Sequence, residues 1–292
     1  MKIIILGAGG IGSLVGCLLS RENEVLLVGK EAHVNEINKN GLKIKGFINE
    51  NFKVKAETKI DNIDDDTLIV LATKAIDNKK TLNEIKHLIK KNNIILCLQN
   101  GFGNEDEIKE IVDCEVIRAI ITAGTTFLEP GNVNCSNLGN VFLENSKSSN
   151  KIVEAMEKTG IKTEISEDIK DKIWTKLIVS SVMNTLTAIF KVKNGELSRC
   201  PELVKSIIDE AVSVANKEGL SYNKDEMLER VNEIIQASGE NKSSMYQDIL
   251  KGRKTDHDYM NNAIVRLGKK QGIECPVNES IVAMIKFLEQ KD

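Results

Sequence analysis

Histidine and proline are both scarce in this chain of 292 residues, at three each. His33, His87 and His257 lie far apart, which argues against a histidine-rich metal centre and leaves acid–base work to another residue type. The six cysteines (Cys17, Cys97, Cys114, Cys135, Cys200 and Cys275) contain no Cys-x-x-Cys pair. That spacing fits neither a zinc site nor a disulfide framework. Cys17, Cys97 and Cys114 sit in apolar surroundings and read as reduced, mostly buried thiols of a cytoplasmic protein. An excess of charge is missing too: the net charge of −3 gives no global attraction to nucleic acid or anionic membranes. Beyond the opening no stretch of about twenty apolar residues is read, so no membrane span is expected. The apolar opening is broken by glycines and runs into a helix without an Ala-x-Ala-like cleavage site, unlike a secretory signal.

What remains is an ordinary globular composition, 41% hydrophobic and 28% charged, with the Lys79-Lys80 and Lys90-Lys91 pairs read as solvated surface. Lys2 to Leu6 is a short apolar run that stops at glycine and predicts a buried strand. A helix from about Ile11 to Arg21 and a second strand, Glu24 to Val28, follow. Thr67–Ala72, Ile94–Leu98 and Glu115–Ile121 are further strand candidates separated by helical segments. This alternation predicts an α/β fold with a Rossmann-like, doubly wound, mainly parallel sheet. Leu42 to Val54 reads as a local hairpin inserted between these units. The character changes near Glu167. Beyond it the periodicity is helical, and Val204, Ile207, Ile208, Ala211, Val212 and Ala215 form one apolar stripe. A Rossmann-like domain over 1–167 and an all-helical domain over 168–292 are expected.

Gly7-Ala8-Gly9-Gly10-Ile11-Gly12 lies between the first strand and the first helix, the context in which Gly-x-Gly-x-x-Gly signifies a dinucleotide site. The first glycine permits the tight turn, the second lets the backbone approach a pyrophosphate, and the third lets helix pack on strand. The helix N–H groups and dipole then favour the phosphates. An NAD enzyme usually carries Asp or Glu at the end of the second strand; this chain has Val28-Gly29-Lys30. An ammonium there pairs with a 2′-phosphate, so NADPH is the expected cofactor; the other reading of Lys30 is solvated surface. Lys74 and Gln99-Asn100-Gly101 each follow a strand, where α/β sheets place ligand contacts, although either segment can simply cap a helix or turn.

In the second half, Lys176, Ser180 and Asn184 recur every four residues and share one helical face in an apolar segment. Such residues either snorkel to the surface or line a site.

Across nearly its whole length the chain resembles the ketopantoate reductase family. The resemblance rests on ordered blocks: Gly7 to Gly12, Lys74, Gln99-Asn100-Gly101, Gly124-Thr125-Thr126 with Pro130-Gly131, and Trp174-Thr175-Lys176-Leu177. Asn184 to Ala188, Asn194-Gly195-Glu196-Leu197, Ser243 to Asp248 and Asp258-Tyr259 complete it. It implies NADPH-dependent reduction of a 2-oxo acid to a 2-hydroxy acid, within pantothenate (coenzyme A) biosynthesis if that acid is ketopantoate. Lys176 matches the proton donor. Asn100, Asn184 and Asn194 match substrate-orienting positions, with Asn100 also near the cofactor, and Ser244 matches the carboxylate-binding serine. Ser180 stands where the family usually has Asn, and Asp256 where it usually has a cofactor-facing Glu. With Lys30, Lys74, Thr125 and the glycine turn, these make up the expected site. A monomer or homodimer acting on a small molecule is implied. The alternatives are a reductase of another branched 2-oxo acid or an imine, and a non-catalytic NADPH-binding sensor.

Overall fold

Strand β1 (Lys2–Leu6) sits inside an eight-stranded sheet and hydrogen-bonds in parallel to β2 (Glu24–Val28) on one side and β6 (Leu68–Leu71) on the other. Ile3 and Ile5 enter one apolar cluster and Ile4 and Leu6 another. A strand buried on both faces needs an unbroken apolar run, and Ile3 to Leu6 supply one. The computed structural model describes residues 1–290.

In chain order the elements are β1, α1 (Gly10–Leu19), β2, α2 (Glu31–Asn40), β3 (Leu42–Gly46), β4 (Glu50–Phe52), β5 (Lys55–Glu57), β6, α3 (Asn78–Ile85), β7 (Ile94–Cys97), α4 (Asn104–Lys109) and β8 (Glu115–Ile121). There follow β9 (Gly124–Glu129), β10 (Asn132–Asn137), β11 (Asn140–Glu144), α5 (Ser149–Glu157) and β12 (Lys162–Ser166). Helices α6 (Ile169–Phe190), α7 (Pro201–Lys217), α8 (Lys224–Ala237), α9 (Ser244–Leu250), α10 (Asn261–Gln271) and α11 (Pro276–Glu289) complete the chain. The large sheet runs β12-β11-β8-β7-β6-β1-β2-β5, parallel except where β11 meets β8. The doubly wound sheet and the helical second half match the sequence expectation.

The expected hairpin at Leu42–Val54 is present as β3 and β4 in antiparallel register, but it is not merely local. Strand β3 also pairs in parallel with β10, Lys43 opposite Asn132, and β10 with β9, making a second sheet in the order β4-β3-β10-β9. The apolar content of the helical half also differs from expectation. Helix α6, at 22 residues, is long and apolar enough by composition to cross a membrane, yet 72% of its apolar window is buried inside the protein. It is the core helix of the second half, packed through Trp174, Leu177, Ile178, Val182 and Leu186.

Two compact units are present. One comprises Met1–Gln99 with Asn104–Ile169; the other joins Asn100–Gly103 to the chain from Lys170 onward. In the second, the main chain of Phe102 donates to Tyr259 O at 2.9 Å and its ring lies 5.3 Å from that of Trp174.

All six cysteines are free; Cys135 and Cys275 are buried like Cys17 and Cys97, and Cys114 and Cys200 are half-buried. Burial pushes all six thiols up, Cys114 to about 11, so none is a ready nucleophile at neutral pH. Lys79, Lys90 and Lys91 pair with Glu107, Asp65 and Asp113 at 3.5, 2.8 and 3.0 Å. The lysines are exposed, and such surface pairs carry small energetic weight.

A buried imidazole links α1, α2 and the turn between β9 and β10 in the first unit. His33, on α2, accepts the Gly131 N–H at Nδ1 (2.9 Å), which leaves Nε2–H to donate to Ser13 Oγ at 3.2 Å. The Phe127 ring meets it edge-on at 4.9 Å. Burial lowers the pKa of His33 below its ordinary 6.5. The folded state therefore binds a proton less readily than the unfolded chain. The stabilisation is complete above about pH 6.5 and is lost as pH falls from there through the folded-state value. Thermal unfolding is expected to show a Tm that declines between pH 7 and 5, with a shallower decline in His33→Gln. Equal slopes for the two proteins would rule this out.

Candidate active site

The glycine turn lies at the carboxyl end of β1, where the chain goes to β2 on one side and returns through β6 on the other. Such a switch point leaves a crevice at the strand ends. Gly7 has φ +99°, and a Cβ there would lie 2.5 Å from the Thr73 backbone nitrogen, so only glycine fits. The N–H groups of Gly7 and Ala8 both bond to Val28 O, at 3.0 and 2.9 Å. The first intrahelical bond is made by Ser13 N–H to Gly9 O at 2.9 Å, so the N–H groups of Gly10, Ile11 and Gly12 precede the helix's own acceptors. The first turn of α1 carries no acidic residue, and its positive dipole end is therefore not neutralised locally. A Cβ on Gly9 would meet nothing within 4 Å. Open space beside a bare glycine backbone, at an uncompensated helix N-terminus, fits a pyrophosphate.

Thr125, on β9, stands against this turn: a Cβ on Gly10 would lie 2.5 Å from Thr125 Oγ1. Lys30 is exposed at the N-cap of α2, directly after β2. Lys74 is half-buried at the N-cap of the 3-10 turn Ala75–Asp77, just beyond β6. These placements gather the expected nucleotide-contacting side chains of the first unit at the carboxyl ends of β1, β2 and β6 and on β9. Gln99 is a different case. Its side chain is buried, and its Nε2 donates to Asn78 Oδ1 at 2.5 Å and Thr73 O at 3.0 Å. It ties two loops together rather than standing open to a ligand.

In the second unit, the buried stretch Ile173–Ala188 of α6 is interrupted by half-buried Lys176, Val179, Ser180 and Asn184. The three polar residues fall on one side because they recur every fourth position. The helix is fixed around them. Asn261 Nδ2 donates to Ser181 O at 3.0 Å and to Asn278 Oδ1 at 3.0 Å, and Glu210 accepts from Val277 N–H and Asn278 N–H at 2.8 and 2.9 Å. At the amino end, Tyr222 O–H reaches Asp171 O at 2.9 Å, and burial raises the phenol's pKa.

Asn184 Nδ2 lies 3.4 Å from Ser244 Oγ and 3.7 Å from Met260 Sδ. Ser244 opens α9 and is exposed. The capping role there falls to Ser243, which accepts from Tyr246 N–H at 3.1 Å and takes the Thr187 hydroxyl at 2.7 Å. Asn184 and Ser244 are thus brought together. Asn194 is placed differently: it is 4% exposed, and its Nδ2 donates to Ser238 Oγ at 3.0 Å. Asp256 is half-buried ahead of the turn His257–Tyr259. Asn100, in the Asn100–Gly103 segment, belongs to this same unit.

A mainly parallel sheet with a glycine turn at its switch point, followed by a helical unit built on one long core helix, defines the class: a Rossmann-type α/β protein with a helical second unit. Residues 3–148 match the family described as "Ketopantoate reductase PanE/ApbA", and residues 168–289 its C-terminal counterpart. The chain belongs to the ketopantoate reductase family. The 2-dehydropantoate 2-reductase of Pyrococcus horikoshii is 36% identical over 298 residues, covering 99% of this chain and 98% of that protein. A PanE/ApbA family ketopantoate reductase from Ralstonia eutropha superposes with a TM-score of 0.92 at 28% identity, over 99% of this chain and 98% of that one. D-mandelate dehydrogenase with NADH and anilino(oxo)acetate is similarly close: TM-score 0.91, 32% identity, and the same coverage.

Proposed function

We propose that this protein is a cytoplasmic, NADPH-dependent reductase that converts ketopantoate to pantoate. The observation that carries the reading is the arrangement of α6. A half-buried lysine, Lys176, shares a helical face with Asn184, which is held beside Ser244.

Bound NADPH would supply the hydride that reduces the ketone carbon. The turn from Gly7 to Gly12 and Thr125 would hold its pyrophosphate, Lys30 its 2′-phosphate, and Lys74, Asn100 and Asp256 its remaining polar groups. The Ser244 hydroxyl and the Asn184 amide donate to the substrate, the serine to its carboxylate. Lys176 places its ammonium at the ketone oxygen, where negative charge develops as the carbon is reduced, and then delivers its proton there. Ser180 completes the substrate side, whereas Asn194, buried with its amide on Ser238 Oγ, supports it from behind. Free thiols, four of them buried, accord with a reducing compartment. The acting unit is a monomer or homodimer.

A second reading is favoured by one residue. Ser180 is shorter than the asparagine usual in the family and leaves room on the lysine's face for a bulkier 2-oxo acid; the D-mandelate dehydrogenase likeness points the same way. A panel of 2-oxo acids, ketopantoate and phenylglyoxylate among them, assayed by coenzyme absorbance with NADPH and NADH, distinguishes the two. Ketopantoate with NADPH is expected to give the highest kcat/KM. Brisk phenylglyoxylate turnover beside slow ketopantoate turnover would replace the first reading with the second.

A further inference from the structure

The carboxyl ends of β6 and β7 are tied to a buried ionic group that sequence reasoning passed over. Arg118, in the middle of β8, is 1% exposed. Its Nη1 donates to Gln99 O at 2.8 Å and Cys97 O at 3.2 Å, and its Nε faces Glu105 Oε2 at 3.4 Å. Glu105 lies in the first turn of α4. The arginine therefore grips the chain on both sides of Asn100–Gly103: the peptide between Gln99 and Asn100 before it, and the start of α4 after it.

An apolar side chain would fill the same volume at a lower desolvation penalty, since replacing buried ion pairs by apolar groups is often neutral or stabilising. Its neighbours Val116, Ile117 and Ala119 are of that kind. What an apolar residue cannot do is donate to these two carbonyls, as the guanidinium does through Nη1 while its Nε faces a carboxylate. The Gln99 side chain extends the hold to the neighbouring loop through Thr73 and Asn78. Asn78 Nδ2 in turn lies 3.4 Å from Asn104 Oδ1 and 3.3 Å from Glu107 Oε2.

We infer that Arg118, with Glu105 as its counter-ion, is a positioning residue that fixes the Gln99–Asn100 peptide and so aims the Asn100 amide for the reaction. This rests on the proposed role of Asn100 as a ligand contact, and the test separates the two ideas. Steady-state kinetics with NADPH and the preferred 2-oxo acid, normalised to folded protein, are measured for Arg118→Lys, Asn100→Ala and the double variant. Lysine keeps the charge but loses the fork, and kcat/KM is expected to fall about tenfold, as for the loss of one charge-assisted hydrogen bond. Asn100→Ala is expected to lose about a hundredfold, and the double variant no more than that, because residues acting through one another are not additive. Losses that multiply, or wild-type kinetics in Arg118→Lys, would overturn the inference; wild-type kinetics in Asn100→Ala would remove the site reading and the inference with it. Should Arg118→Lys fail to fold, Glu105→Gln serves in the same cycle. A loss of about threefold that vanishes in the Asn100→Ala background supports the inference, and an equal loss in both backgrounds overturns it.

Discussion

Lys176→Ala is expected to lower kcat about a thousandfold while NADPH affinity stays within about twofold of the parent, the loss typical of removing a positioned general acid together with its charge. The argument is chemical. Reduction places negative charge on a ketone oxygen, and Lys176 is the cation one turn from Ser180 and two from Asn184 on the same α6 face, with Lys172, the next in that row, paired to Asp171. Lys176→Arg keeps the charge but holds its proton too tightly to deliver it, so it should recover part of the loss and no more. Single-turnover oxidation of NADPH, with coenzyme binding titrated separately, checks both. An alanine variant within tenfold of the parent rate would remove the mechanism and favour a coenzyme-binding protein without catalysis.

The second large effect is expected in the glycine turn, where two conservative changes should behave in opposite ways. A Cβ at Gly12 would lie 2.1 Å from Gly7 O and 3.1 Å from Ala72 Cβ. Backbone cannot give way as a flexible side chain can. Gly12→Ala therefore pushes α1 off β1 and costs about 1–3 kcal/mol of stability, with NADPH affinity falling about a hundredfold or more. Gly9 has an ordinary φ of −83° and open space before it. Gly9→Ala should fold with an unchanged Tm, yet lose about tenfold or more in NADPH affinity because its methyl takes the place of the pyrophosphate. Calorimetric titration beside thermal unfolding separates the two. If Gly9→Ala bound NADPH like the parent, the phosphate site would lie elsewhere.

The parts legible in the sequence were those encoded locally. Lys2–Leu6 is a strand because four apolar residues, Ile3 to Leu6, run unbroken in it, and the turn after it needs glycine at Gly7, where φ is +99°. The i, i+4 recurrence of Lys176, Ser180 and Asn184 sets their common face by helix geometry alone. The second sheet was not legible. Strand β10 contains Asn132, Asn134 and Asn137, residues poorly suited to strands, and it pairs with β3 across a wide separation in sequence. Gln99 and Arg118 were hidden for a related reason. An amide next to Asn100 looks like a ligand contact until its bonds to Thr73 and Asn78 are known, and an arginine inside Glu115–Ile121 gives no sign of which carbonyls it will meet. His33 looked like one of three isolated histidines; its partners, Ser13 and Gly131, come from distant segments.

The four residues Asn100–Gly103 have a consequence for how such a protein can be divided or recombined. They are encoded deep within the first unit and packed with the second, at Tyr259 and Trp174. A gene cut near codon 169 therefore yields one fragment with an orphaned tetrapeptide and another with a hole where Phe102 belongs. Shuffling the two halves among relatives would carry this short segment with the wrong partner, so its residues must be exchanged together with the helical half that receives them.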